Sequence, residues 1–190
     1  MPVSSTTVVV VLVVLLVAGW YLSFSAARLD RMHARVEGAR SALDAQLVRR
    51  ASVALQLATS GRLDPASSLL VAGAASDARE SPETERELAE SDLTAALGAA
   101  LGTAVPPELL RDPAGREVVA ELASACRRVE LARRFHNDAV RAASVVRRKR
   151  VVRYLRLAGR AATPASFEID DTPPEALVRV AEGPASTVVP

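Results

Sequence analysis

The sequence predicts an all-α fold, in which an N-terminal transmembrane helix is followed by an antiparallel bundle of three long helices and one short helix. Residues 3–22 carry no charge. Of the 190 residues 49% are hydrophobic but only 3% are aromatic, which favours helices packed through small and aliphatic side chains over a sheet. We predict an anchor at residues 1–25, a bundle at 26–160 and an acidic, Pro-containing disordered tail at 161–190.

The predicted anchor reads VSSTTVVVVLVVLLVAGWYL. About 20 apolar residues suffice to cross a bilayer, and Trp20 and Tyr21 stand where aromatic rings favour the headgroup layer. A cleaved signal peptide is the alternative, because the small residues 25–27 offer a cleavage site. The length of the apolar run and the lack of a basic side chain before it favour a retained, single-pass anchor.

The charges around the anchor predict its orientation. The span is followed closely by Arg28, Arg31, Arg35 and Arg40. Under the positive-inside rule, this pattern places the N-terminus outside and the bundle in the cytoplasm of a cell-membrane protein.

Helical spacing defines the elements of the bundle. Apolar residues from Leu29 to Leu47 recur every three or four positions, so the first helix is expected to continue to about residue 60, where Gly61 and Pro65 end it. A shorter helix is predicted from Pro65 to about Arg79.

The next two helices have predicted caps. Ser81 followed by Pro82 suggests the start of a helix that ends before Gly102. Asp112 before Pro113 suggests the start of the longest periodic segment, which reaches about Gly159.

The chain offers little that suggests catalysis, and we expect no enzymatic activity and no cofactor. A single cysteine, Cys126, permits no internal disulfide, and His33 and His136 are too far apart in sequence to suggest a metal site. Both Cys126 and His136 are expected in the core. The sequence contains no Gly-rich phosphate loop or nucleophile elbow.

Two stretches, LDAQLVRR at 43–50 and ELARRFHNDAVR at 130–141, resemble the motifs of the LemA family, of which the chain looks like a divergent member. The matching positions are Asp44, Gln46, Leu47, Arg49, Arg50, Arg133, Phe135, Asn137 and Val140. The resemblance implies a membrane-tethered bundle of long helices with no known enzymatic site. The polar residues of the first motif are either a partner-binding face or ordinary surface charges, and Arg40 is the natural i−4 partner of Asp44.

Charge is distributed in blocks. Residues 64–110 hold two Arg against nine acids, whereas residues 111–160 hold fourteen bases against five acids. The strongest cationic run, residues 147–160 (the basic segment), includes Arg147, Arg148, Lys149, Arg150, Arg153 and Arg156. These side chains either contact anionic lipid or form a solvated helix face that pairs with the acidic residues 83–92. Nucleic acid is disfavoured as a partner, since only Tyr154 offers a stacking ring there.

The sequence therefore predicts a membrane-anchored, non-enzymatic scaffold. Its expected partners are lipid through residues 3–22, an unidentified protein and a second copy of the chain. The alternative function is a basic amphipathic module in which residues 147–160 bind an anionic membrane.

Overall fold

The computed structural model describes residues 5–147 and 164–182, and within those ranges every regular element is an α-helix. The helices are α1 (Ser5–Thr59), α2 (Pro65–Glu80), α3 (Arg86–Leu101), α4 (Pro107–Leu110), α5 (Pro113–Arg147) and α6 (Glu175–Glu182). The prediction of an all-α chain with packed helices is thus confirmed. In detail, α3 is no longer than α2, since each has 16 residues.

Within the described residues, none of the helices combines the length and apolarity that crossing a membrane requires.

The chain divides into two compact units. The first unit comprises residues 1–38 and 137–166, and the second comprises residues 39–136 and 167–190. In the first unit, the apolar side chains of residues 8–17 are between 47% and 73% exposed. Its buried apolar side chains among the described residues are Val36, Ala139, Val140, Ala143 and Val146.

The core of the second unit draws on all six helices. Helix α1 contributes a stripe of side chains at helical spacing to this core. Helices α3 and α5 contribute mainly leucine, valine and alanine side chains. The α1 stripe consists of Leu43, Leu47, Ala51, Ala54, Leu57 and Ala58. Such a stripe every three or four residues is the face that an amphipathic helix buries.

Side-chain pairs define the helix directions in the second unit. Gln46 of α1 meets Arg128 of α5, and three residues later Arg49 meets Glu121, so α1 and α5 are antiparallel. By contrast, Arg50 of α1 meets Glu90 of α3, whereas Arg40 meets Glu83 just before α3. These two helices therefore run in the same direction.

Several helix ends follow the sequence signals. Gly61, two residues after α1, and Gly102, directly after α3, both have positive φ, 70° and 59°, a conformation that glycine adopts without steric cost. At the start of α5, the Asp112 Oδ1 accepts a hydrogen bond from the Gly115 N–H at 2.6 Å, which confirms the predicted cap.

The predicted cap at Ser81 is wrong. The Ser81 backbone N–H and hydroxyl both donate to the Asp77 carbonyl, at 2.9 and 2.7 Å, so this serine closes α2 instead of opening the next helix. Helix α3 begins five residues later, after Glu85.

The prediction of a disordered tail is wrong over residues 164–182. Residues 164–174 (the strap) are extended and lead into α6. Phe167 packs with Leu43, Leu47 and Val129, and Leu177 of α6 enters the main core. A few well-spaced apolar side chains thus fix a segment whose average composition is polar.

Candidate interaction site

Arg50, the second arginine of the LDAQLVRR motif, lies in the interior of the second unit. Its Nη2 donates to the Glu90 Oε2 at 2.7 Å and to the Glu90 carbonyl at 2.9 Å, and its Nη1 donates to the Thr94 Oγ1 at 3.1 Å. Arg50 is 1% exposed and Glu90 is fully buried. The interpretation of Arg50 as a surface charge is therefore wrong.

The sequence did contain a signal for this position. Arg50 stands three residues after Leu47 and four before Ala54, within the stripe that α1 buries. A charged residue at such a position needs a buried counter-charge, and Glu90 supplies it from α3.

Desolvation dominates the electrostatics of this pair. Burial raises the pKa of Glu90, and the nearby charge of Arg50 opposes that shift. The Arg50 Nε and the Glu90 Oε1 are also buried and accept or donate no hydrogen bond. Burial likewise raises the pKa of Cys126, so its thiol is suited to packing and not to nucleophilic chemistry. The pair is closed to solvent, and its role is to join α1 to α3.

The other residues of the first motif point to different neighbours. Asp44 meets Arg40 at 3.5 Å, as its i−4 spacing predicts. Arg40 also donates to Glu83 at 2.9 Å, and its guanidinium lies 5.2 Å from the centre of the Phe167 ring. Arg40 thus links α1 to the segment before α3 and to the strap.

Three more motif residues face α5 or the core. The Arg128 Nε donates to the Gln46 side-chain oxygen at 3.2 Å, and Arg49 donates to the Glu121 carboxylate. Leu47 is fully buried. The first motif therefore connects α1 to its neighbours in several directions and presents no single face to a partner.

The second motif holds the strap. Arg133 donates to both carboxylate oxygens of Asp171, from Nε at 2.6 Å and from Nη2 at 2.9 Å. This hydrogen bonding raises the pKa of Arg133. Phe135 is 61% exposed, whereas His136 is buried, which confirms the prediction for that histidine. In the first unit, Asn137 and Val140 are buried.

The partners of the strap on α3 were not predicted from the sequence. The Glu87 Oε1 accepts from the Glu168 N–H at 2.8 Å, and the Ser91 Oγ accepts from the Asp170 N–H at 3.1 Å. Both acceptors lie one turn apart on α3. They satisfy alternate backbone donors of the extended strap, as the neighbouring strand of a sheet would.

Helices α2 and α3 form an open groove of about 610 Å³ (the α2–α3 groove). Alanine residues and Gly73 form much of its lining, and Leu69 and Leu70 lie at one end. Leu69 is 77% exposed, and Leu88 beyond the other end is 66% exposed. Large leucine side chains that are exposed to solvent in and beside a groove are typical of an interaction surface.

Acidic side chains border this groove. Asp77 and Asp92 line it, and they also line an adjoining depression together with Glu80 and Glu85. No basic residue is among the lining residues of either concavity in the described part of the chain. The groove was not predicted from the sequence, although the excess of acids in residues 64–110 indicated a negative surface.

The basic segment falls outside the described residues, apart from the backbone of Arg147 at the end of α5. The interpretation of residues 147–160 as a lipid-binding or solvated helix stays a prediction. Within the described ranges, no cluster of three or more His, Cys, Asp or Glu side chains is arranged to hold a metal ion.

No family model, no curated protein and no solved structure matches this chain.

Proposed function

We propose that the protein is a membrane-attached, non-enzymatic helical scaffold of LemA type, which holds a protein partner close to a lipid surface. The observation that carries this proposal is the exposure of the apolar side chains at residues 8–17 of α1. Each buried Val or Leu side chain contributes roughly 1.5–3 kcal/mol. Ten such side chains exposed to water would be costly, whereas lipid would cover them.

Residues at the end of the apolar run support the same proposal. Trp20 is 75% exposed and Tyr21 is 52% exposed, where an interfacial belt would place them. Beyond them Arg28, Arg31 and Arg35 are all exposed. With these arginines at the inner leaflet, the N-terminus is outside and the remainder of the chain is cytoplasmic.

The second unit supports a scaffolding role. Its charged motif residues are used to join α1, α3, α5 and the strap, and its buried ion pair is closed to solvent. The exposed leucines and acids of the α2–α3 groove offer a partner an apolar surface with negative charge. A scaffold with a fixed body and an open groove is the function that fits these features best.

Lipid attachment is tested by carbonate extraction of washed membranes. The full-length chain is expected to stay in the pellet, and the variant with Val11→Asp and Val14→Asp is expected to leave it, because a charged side chain in hydrocarbon is costly. Val48→Asp is the matched control, since Val48 is an exposed valine in the second unit. Release of the unaltered chain by carbonate would contradict the proposal.

The orientation is tested by cysteine labelling in intact cells. With Cys126→Ala in the background, Ser5→Cys is expected to react with an impermeant reagent and Ser186→Cys is not. Labelling at position 186 alone would place the bundle outside and refute the cytoplasmic location.

The alternative function, a lipid-surface module formed by residues 147–160, is distinguished by salt. Attachment through seven bases would weaken sharply as ionic strength rises. Attachment through the apolar residues of α1 would persist in high salt, and the Val11→Asp and Val14→Asp variant would abolish it.

A further inference from the structure

We propose that the α2–α3 groove binds the basic segment, residues 147–160, of a second copy of this chain, so that the protein forms a symmetric dimer. The inference rests on the surface of the second unit, and it does not require that residues 3–22 contact lipid.

The groove has the composition of a docking site for a cationic, apolar segment. Its lining of alanine and glycine lets another backbone approach closely, and Leu69 and Leu88 offer apolar contacts at the two ends. Asp77 and Asp92 are exposed on facing helices and take part in no ion pair among the described residues. Carboxylates in this setting remain available for an arginine from outside.

The occupant is indicated by charge complementarity within the chain itself. The basic segment holds seven bases and no acid, and valine and leucine are interspersed among them. Arginine suits such a groove because its planar guanidinium binds carboxylates in a bidentate manner. The lining of the groove and its adjoining depression holds four acids and no base. No other segment of the sequence has this combination of cationic and apolar residues.

The proposed contact between the groove of one copy and the basic segment of the other is reciprocal. Each copy carries one groove and one basic segment, so two copies related by a twofold axis make the same contact twice. Closed symmetry of this kind limits the assembly to a dimer and prevents an open chain of molecules.

The test is a charge swap in the full-length chain, with mass measured by sedimentation or light scattering in micelles across a range of concentrations. The groove variant is Asp77→Arg with Asp92→Arg, and the segment variant is Arg153→Glu with Arg156→Glu. We expect the unaltered chain to dimerise and each variant alone to dimerise at least about tenfold more weakly, because like charges then face each other at both contacts. An equimolar mixture of the two variants should dimerise again, since both contacts in the mixed dimer join opposite charges.

A matched control changes acids away from the groove. Glu37→Arg with Glu117→Arg alters charge by the same amount at exposed positions and is expected to leave the dimer unchanged. Circular dichroism of every variant establishes that helix content is retained.

Three results would overturn the inference. These are a monomer at every concentration, a dimer that the groove variant does not weaken, and a mixture that fails to restore association. Loss of binding to anionic vesicles by the segment variant, with its dimerisation unchanged, would assign residues 147–160 to lipid and refute the groove as their site.

Discussion

Two arginine–carboxylate pairs of the second unit, Arg50–Glu90 and Arg133–Asp171, have nearly the same closest distance but very different surroundings. Their shortest nitrogen–oxygen separations are 2.7 and 2.6 Å. The side chains of the first pair are 2% and 1% exposed, whereas those of the second are 20% and 11% exposed. The two pairs thus have nearly the same closest nitrogen–oxygen distance and differ in their exposure to water.

The difference shows in the direction of the pKa shifts. At the interior pair, burial raises the pKa of Glu90 despite the neighbouring Arg50, because removing the carboxylate from water costs more than the pairing returns. At the strap, the hydrogen bonds that Arg133 donates to Asp171 are the main cause that raises the pKa of Arg133, so the charged pair is favoured there. Removing one partner of the interior pair is therefore costly, although the pair adds little net stability. The strap pair contributes a modest amount to the stability of the strap on the bundle.

The largest effect is expected from breaking the interior pair. Glu90→Ala leaves the Arg50 guanidinium buried without its counter-charge, which should lower the free energy of unfolding by about 3–5 kcal/mol. Urea unfolding of the full-length chain in micelles, followed by circular dichroism, measures this loss.

Replacing both partners is the control for that variant. Arg50→Met combined with Glu90→Leu removes both charges and retains apolar volume, so most of the lost stability should return, to within about 1–2 kcal/mol of the unaltered chain. A double variant as unstable as Glu90→Ala would show that packing, and not the uncompensated charge, causes the loss.

A smaller effect is expected at the strap. Asp171→Asn weakens two hydrogen bonds to a charged, partly exposed partner, which should cost about 1–2 kcal/mol. The loss should be local: amide hydrogen exchange should speed up in residues 164–174 and stay unchanged in α3. Equal acceleration throughout the second unit would mean that the strap and bundle unfold together.

The interior and surface carboxylates should respond to pH with opposite signs. Burial raises the pKa of Glu90 above its ordinary value of 4.5, so its stabilising contribution is full below that value and is lost as pH rises through the folded pKa. Hydrogen bonding from Arg62 lowers the pKa of Asp112 below 3.8, so its contribution is present above that value and is lost as pH falls through the folded pKa.

Conservative amides test these signs. Between about pH 3 and pH 7, the stability advantage of the unaltered chain over Glu90→Gln should shrink as pH rises. Its advantage over Asp112→Asn should grow over the acidic part of the same range. Two curves of the same slope would contradict the distinction between interior and surface carboxylates.

The smallest effect is expected on the surface of α6. Glu175 and Arg179 meet at 3.6 Å with both side chains more than 60% exposed. Glu175→Gln should change the free energy of unfolding by less than about 0.5 kcal/mol, because water screens such a pair. Thermal melts against the unaltered chain measure it, and a loss comparable to that of Asp171→Asn would show that exposure does not rank these pairs.

Local features of the fold were predictable because they depend on neighbours in sequence. The end of α1 at Gly61, the cap of Asp112 and the i−4 pairing of Arg40 with Asp44 all follow from residues within one turn. Ser81 was misassigned because the same hydroxyl and N–H can close one helix or open the next, and only the path of the chain after Pro82 decides between them.

The candidate site was less predictable because it depends on distant pairs. The groove needs α2 and α3 side by side, and its two central acids, Asp77 and Asp92, are separated by a turn and parts of two helices. The excess of acids in residues 64–110 indicated the sign of this surface but not the leucines exposed beside it.

The sequence by itself determined that the chain is helical, where α1 and α3 end, where α2 begins and ends, where α5 begins, and that Leu43 and Leu47 lie on the buried face of α1. The tertiary structure decided that Arg50 is interior while the adjacent Arg49 is half exposed, and that Phe167 fixes a polar tail to the bundle. The physical reason is that helix formation depends on contacts within a few residues, whereas burial of a charge depends on whether another segment brings a counter-charge to it.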